Sequence, residues 1–222
     1  MALRKPVAIK PRRGTRSGID RLARRGVVKF SASQTIDGLV IVGDKGTDKI
    51  VEALGLIREF DPIRYKRLLR DVREVLVTVL PASVAQWAEP SQACELDERY
   101  LIREATTPEH VASTIVHEAT HARLMRCGIG YEEKLRARVE RVCLRREIAF
   151  ASRLPAGLDV GQRAEATLQA MPDFSDQAMG ERYLDGLRDA LLYLNMPAWL
   201  VNLTVYHRRW QHRRRFARHQ TA

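Results

Sequence analysis

The chain has 222 residues, 45% of them hydrophobic and 29% charged, a balance that buries one core and excludes a wholly disordered protein. Its formal net charge of +11 is unevenly placed: residues 1–29 hold ten Lys and Arg against Asp20 alone, residues 207–222 hold six Arg and no acid, and the remainder stands at −4. This predicts a basic, flexible N-terminal segment (1–29), a single domain over 30–206 and a basic C-terminal tail (207–222). Basic runs of this kind contact nucleic acid, anionic lipid or an acidic partner, but neither run holds a base-reading motif and aromatics for stacking are scarce. Cys94, Cys127 and Cys143 are odd in number and lack the Cys-x-x-Cys spacing of a structural zinc site. No apolar signal segment follows the basic N-terminus, so a cytoplasmic location is expected.

Gly38 to Val42 is a short β-rich run, and Gly43-Asp44-Lys45-Gly46-Thr47 is a turn leading into a helix that reaches about Phe60. The Gly-Lys-Ser/Thr order of a phosphate loop is missing there, so the turn serves as a helix cap. Asp61-Pro62 starts another helix, with Tyr65, Leu68 and Leu69 along it. Val75 to Leu80 reads as a strand ended by Pro81, and Ala93 to Ile102 as another, with Cys94, Leu96 and Tyr100 alternating against polar neighbours.

Thr107, Pro108 and Glu109 then supply an N-cap, a proline at the first helical position and a first-turn acid. Val111, Ile115, Ala119 and Ala122 give this helix an apolar face, and Gly128 stops it. Within it lies His117-Glu118-Ala119-Thr120-His121. Four residues of α-helix turn the chain by about 400° and advance it by about 6 Å, so both imidazoles leave one face and can share one metal ion. Glu118 lies about 100° round the helix, within reach of a water on that metal without being a ligand.

A catalytic zinc needs a third protein ligand and an open position. Cys127 to Gly130 form a short turn, and from Tyr131 to about Leu154 no Gly or Pro interrupts a second long helix, which must lie antiparallel to the first. Folding about residue 129 sets Glu140 opposite Glu118. Glu133 would face position 125 and Glu147 position 111, each about 10 Å along the axis from the metal. Glu140 is therefore the expected third ligand, with Glu147 second. Pairing of these glutamates with Arg136, Arg141, Arg145 or Arg146 is the alternative.

Thr114, Ile115, Ala119, Thr120 and Ala122 around the two histidines resemble the longer pattern of the zincin metallopeptidases, whereas Arg123 departs from it at a position that is usually apolar there. The nineteen residues from His121 to Glu140 resemble the gluzincin branch, and no third histidine follows as it does in metzincins. The likeness spans about forty residues. It implies a zincin-like α+β fold, predominantly helical, with a small β-sheet before the zinc-binding helix and an edge strand that pairs an extended peptide.

Beyond Pro155, Val160 to Ala170 and Asp176 to Asn195 are predicted helices, and Met196-Pro197 leads into a packed helix with Trp199, Leu200, Val201, Leu203 and Val205. Asp189, Asn195, Pro197 and Asn202 break this stretch, well short of the roughly twenty apolar residues of a membrane span. Because Arg208, Arg209, Arg213, Arg214 and Arg215 follow, a position peripheral to an anionic membrane is the alternative for this helix.

The expected function is that of a zinc-dependent metallopeptidase acting on a peptide or protein substrate, with one catalytic Zn2+ on His117, His121 and Glu140 and with Glu118 as general base and then acid. Tyr131, Tyr183, Tyr193 and His207 are the candidates for the oxyanion donor, and His110 reads as a helix-surface residue. Two other classes compete. One is a non-catalytic basic scaffold that binds nucleic acid or an anionic membrane surface, and the other is a zinc protein without peptidase activity.

Overall fold

Asp37 and Gly38 take positive φ values, 48° and 86°, and close a two-residue hairpin between β1 (Ser33–Ile36) and β2 (Leu39–Val42). In the computed structural model, which describes residues 32–219, this hairpin forms one side of a five-stranded sheet. The basic segment over 1–29 lies outside the described residues. Helix α1 (Thr47–Phe60) follows β2, and α2 (Pro62–Asp71) starts at once because Asp61 accepts the Arg64 amide while Pro62 fills the first turn. Strands β3 (Glu74–Thr78), β4 (Ala85–Ala88) and β5 (Ala93–Asp97) complete the sheet in the order β1-β2-β3-β5-β4. The inner strands β2, β3 and β5 are parallel, and the edge strands β1 and β4 are antiparallel to their neighbours.

The rest is helical: α3 (Glu98–Leu101), α4 (Pro108–Arg126), α5 (Glu133–Ala151), α6 (Leu158–Gln169), α7 (Asp176–Tyr193) and α8 (Ala198–His219). The fold is thus α+β and mostly helical, and its small mixed sheet precedes the helix of the two histidines. Ile41, Val75 and Leu96 of the inner strands pack with Ile50 and Leu54 of α1 and with Val111 and Ile115 of α4 in one buried cluster. That face fixes which side of α4 turns inward. No helix among the described residues is long and apolar enough to cross a membrane.

Four elements differ from the sequence reading. Strands β1 and β4 were not expected: SQTI and AQWA are only four residues each, too short to show an alternating pattern, and they are ordered by pairing with β2 and β5. The run from Ala93 to Ile102 is not one strand, because Asp97 ends it by capping α3. The basic run from residue 207 continues helix α8 as far as His219.

Asp97 is the joint between sheet and helices. It is 3% exposed, and its carboxylate accepts the Tyr100 and Leu80 amides at 3.2 and 2.7 Å and pairs with Arg99 at 2.9 Å. Asp97→Ala leaves the Leu80 amide and the first turn of α3 without an acceptor, a loss of about 3 kcal/mol. Urea unfolding should report it as a lower midpoint with an unchanged slope, and a midpoint equal to wild type would show that the joint contributes nothing.

Candidate metal centre

Helix α4 begins as its sequence demands, with Thr107 accepting the His110 amide, the His110 ring reaching back to Thr107 and Pro108 in the first turn. It ends at Gly128, whose φ of 80° lies in the left-handed region. There the Gly128 and Ile129 amides donate to Met125 and Leu124, closing a Schellman turn. The chain then returns as α5, antiparallel to α4, as successive contacts of Tyr131, Glu140 and Glu147 with His121, His117 and Ser113 show.

His117 and His121 lie side by side on α4 with ring centroids 5.0 Å apart. Their Nε2 atoms stand 3.1 and 3.4 Å from the Glu140 Oε2 and Oε1 atoms respectively. Adjacent donors on a tetrahedral zinc, with bonds of about 2.0–2.1 Å, are about 3.4 Å apart, close to the separation between each imidazole and the Glu140 oxygen it faces. Glu140 also accepts a short hydrogen bond from the Tyr131 hydroxyl, and the Tyr131 ring meets His121 edge-on at 5.3 Å.

Glu147 takes a different place from the one expected. Instead of facing position 111, it accepts the Ser113 hydroxyl at 3.0 Å and bonds His117 Nδ1 at 3.0 Å. Ionised carboxylates only accept, so with Glu147 at Nδ1 and Glu140 at Nε2 both ring nitrogens of His117 carry protons in the metal-free protein, and a bound ion would displace the one on Nε2. This is the arrangement in which a carboxylate orients a ligand histidine from behind. Neither Glu140 nor Glu147 pairs with arginine among the described residues, and Arg136 pairs with Asp176 instead at 2.7 Å. Glu133 accepts the Asp176 amide, away from the site.

Cys143 enters the site unforeseen. Its sulfur and one nitrogen of each histidine lie within 4.8 Å of one another. A signal was present in the sequence, since Glu140, Cys143 and Glu147 recur at i, i+3 and i+7 on one face of α5. Burial first, then the charges of Glu140, Glu118 and Glu147, push its thiol up.

Of the four candidates for a hydroxyl or imidazole donor, only Tyr131 reaches the centre. Tyr193 donates to Glu98 at 2.6 Å, Tyr183 is exposed on α7, and His207 stacks on Trp210. His110, expected on the surface, is part-buried and bridges to Asp159 at 2.9 Å. The unusual Arg123 also has an account. It approaches Asp71, a buried acid to which Arg70 and Arg126 bond at 2.8 Å each.

The electrostatics separate the roles. Burial alone would lower the pKa of His117, but hydrogen bonds to Glu140 and Glu147 and the charge of Glu118 raise it from 6.5 to about 10. Burial, then the charge on His117, lowers His121 to about 4, so that it presents a lone pair. Glu140 is held below the usual carboxylate range, because its contacts with the two imidazoles and Tyr131 outweigh its burial. Glu118 moves the other way, to about 7: burial raises it, opposed by His117 and by the amide of Trp87 and assisted by Glu140 and Glu147.

From pH 7 to 9 the raised values of Glu118, about 7, and His117, about 10, both make the fold less stable as pH rises, and His117 contributes more because its shift from the ordinary value is the wider. Its folded pKa is raised, so its contribution to stability is complete below 6.5 and is lost as pH rises towards 10. Protein treated with EDTA should therefore show a lower urea midpoint at pH 9 than at pH 7, and His117→Gln should flatten the difference. A midpoint that rises over this window would contradict the charge assignment. Comparison of the chain with models of protein families, with curated proteins and with solved structures finds no match.

Proposed function

We propose that this chain is a zinc-dependent metallopeptidase of the zincin type. The observation that carries the reading is the convergence of His117 Nε2 and His121 Nε2 on the Glu140 carboxylate, with buried Glu118 in the same helical turn. His117, His121 and Glu140 would hold the ion, and Glu147 would orient His117. When bound, zinc supplies Lewis acidity that acidifies water and polarises a carbonyl.

The protein's own groups account for the remaining requirements of peptide hydrolysis. Glu118, with a pKa of about 7, is poised to take a proton from the attacking water and to return it to the leaving amine at neutral pH. The Trp87 backbone favours the charged form of that carboxylate, against the effect of its burial. Tyr131 is the hydroxyl best placed to steady a developing oxyanion. Among the described residues strand β4 pairs in the sheet with β5 alone, and the backbone groups of its other edge that Glu118 does not engage would receive an extended peptide beside α4. The α+β fold, with its small mixed sheet preceding the helix of the two histidines, and the resemblance around His117 and His121 support the same reading.

Cys143 favours a second reading. If its thiolate joined the two histidines and Glu140, the ion would have four protein ligands and a structural role.

Metal analysis of wild type beside single variants separates the two. His117→Ala and Glu140→Ala should lose zinc, Cys143→Ala should keep it, and Glu118→Gln should keep zinc while losing roughly 10²–10⁴-fold in turnover of a peptide library. Full zinc occupancy in His117→Ala would sink the metal site. Zinc lost from Cys143→Ala, with no cleavage by wild type, would establish the structural reading instead.

A further inference from the structure

Helix α8 is apolar on two opposite sides. Val201 is fully buried on the side that meets the rest of the domain, where Arg188 bonds Asn202 at 2.8 Å and Asp185 pairs with Arg209 at 3.1 Å to hold α8 against α7. On the outer side, Trp199, Leu203, Tyr206 and Trp210 follow at intervals of four, three and four residues and are 69%, 58%, 71% and 41% exposed. At 100° per residue they fall within about 60° of arc, and the middle of that arc lies about 170° from Val201. A stripe of two tryptophans, a tyrosine and a leucine, each more than two-fifths exposed among the described residues, is a surface built to be covered.

The charge pattern says by what. The helix contains no acidic residue from Ala198 to His219, and its first nine residues carry no cation either. Arg213 and Arg214 flank the continuation of the stripe on its two sides, and the Arg214 guanidinium lies 3.8 Å from the centre of the Trp210 ring. Apolar and aromatic groups along one line, with cations beside its C-terminal half, match the layered polarity of an anionic bilayer surface, in which tryptophan and tyrosine settle at the headgroup level. A second copy would bring one acid-free cationic surface against another. A nucleic acid would find no cation over the Trp199 to Tyr206 half to follow its phosphates. The helix is too polar to cross a membrane and suited to lying on one.

We infer that α8 is a peripheral anchor which lays the Trp199, Leu203, Tyr206 and Trp210 stripe into the surface of an anionic bilayer, with Arg213 and Arg214 on the lipid headgroups. This inference is independent of the metal site, and its failure leaves that reading untouched.

Flotation of the full chain with vesicles tests it, using phosphatidylcholine alone and phosphatidylcholine with about one third phosphatidylserine. Wild type should float with the anionic vesicles and not with the neutral ones, and its tryptophan emission should shift to the blue. Leu203→Glu with Tyr206→Glu should weaken binding roughly tenfold or more, as should Arg213→Glu with Arg214→Glu. Trp199→Ala with Trp210→Ala, a milder change at exposed positions, should lower affinity in the same direction while circular dichroism and thermal midpoint stay those of wild type. The inference is overturned if wild type does not float, or if the stripe variants float as well as wild type, which would place the binding on the N-terminal basic run. It is equally overturned if wild type is a dimer that Leu203→Glu with Tyr206→Glu dissociates, or if a single-stranded oligonucleotide binds through the stripe and the anionic vesicles do not.

Discussion

Three carboxylates, Glu118, Glu140 and Glu147, are withdrawn from water around a single pair of imidazoles, and the packing of α4 on α5 depends on their being compensated. Removing one partner from a buried ion pair costs roughly 3–5 kcal/mol, so each acid needs a donor or a cation at hand. His117 stands between Glu140 and Glu147, Tyr131 and Ser113 donate to the remaining oxygens, and the Trp87 amide serves Glu118. These bonds form in only one register of the hairpin. The Schellman turn at Gly128 selects it, and slipping α5 by one residue would turn Glu140 about 100° away from both histidines.

The sheet contributes position rather than chemistry. Asp97 ties the end of β5 to α3 and to the loop after β3, and so sets where the chain enters α4. The inner strands bury the apolar side of α4, which leaves the histidine side to α5. Edge strand β4 then lies against the helix at Glu118, so that the buried carboxylate and the outermost strand of the sheet are neighbours. A base of raised pKa beside an edge that can accept an extended chain is a coherent arrangement for the proposed hydrolysis, and it arises from β4 being both short and last in the sheet. Helix α8 depends on none of this. It is held through α7, and its outer stripe faces away from the residue it buries.

The sequence revealed α4 almost in full, because its start, its stop and its face are all local: Thr107 and Pro108 act within one turn, Gly128 acts on its own φ, and the histidines four apart share a face by helix geometry. The antiparallel return of α5 was equally legible, since a short turn between two long helices leaves few other arrangements, and Glu140 came with it. Strand β4 was not, because AQWA has no local reason to extend without β5 beside it. Cys143 and the part played by Glu147 were missed for a related reason. Judging cysteines by their spacing from other cysteines overlooks a thiol one turn from Glu140, and distance along an ideal axis does not say which nitrogen of His117 a long side chain will reach. The C-terminal arginines suggested a solvated tail by their charge, whereas α7 offers α8 a buried seat at Val201 and the helix runs on through them.

Sequence alone determined where the helices begin and end, which residues share a helical face, and that two histidines and an acid from consecutive helices must meet, since all of these follow from steric rules acting over a few residues. Tertiary structure decided the rest: Glu147 behind His117 rather than beside it, Cys143 within reach of both rings, Tyr131 rather than Tyr193 near the centre, and the outward turn of Trp199 and Tyr206. Those outcomes rest on which buried polar group finds a partner and which apolar face finds a neighbour. Both are settled by contacts between residues distant in the chain, where the free energy of burial outweighs any local preference.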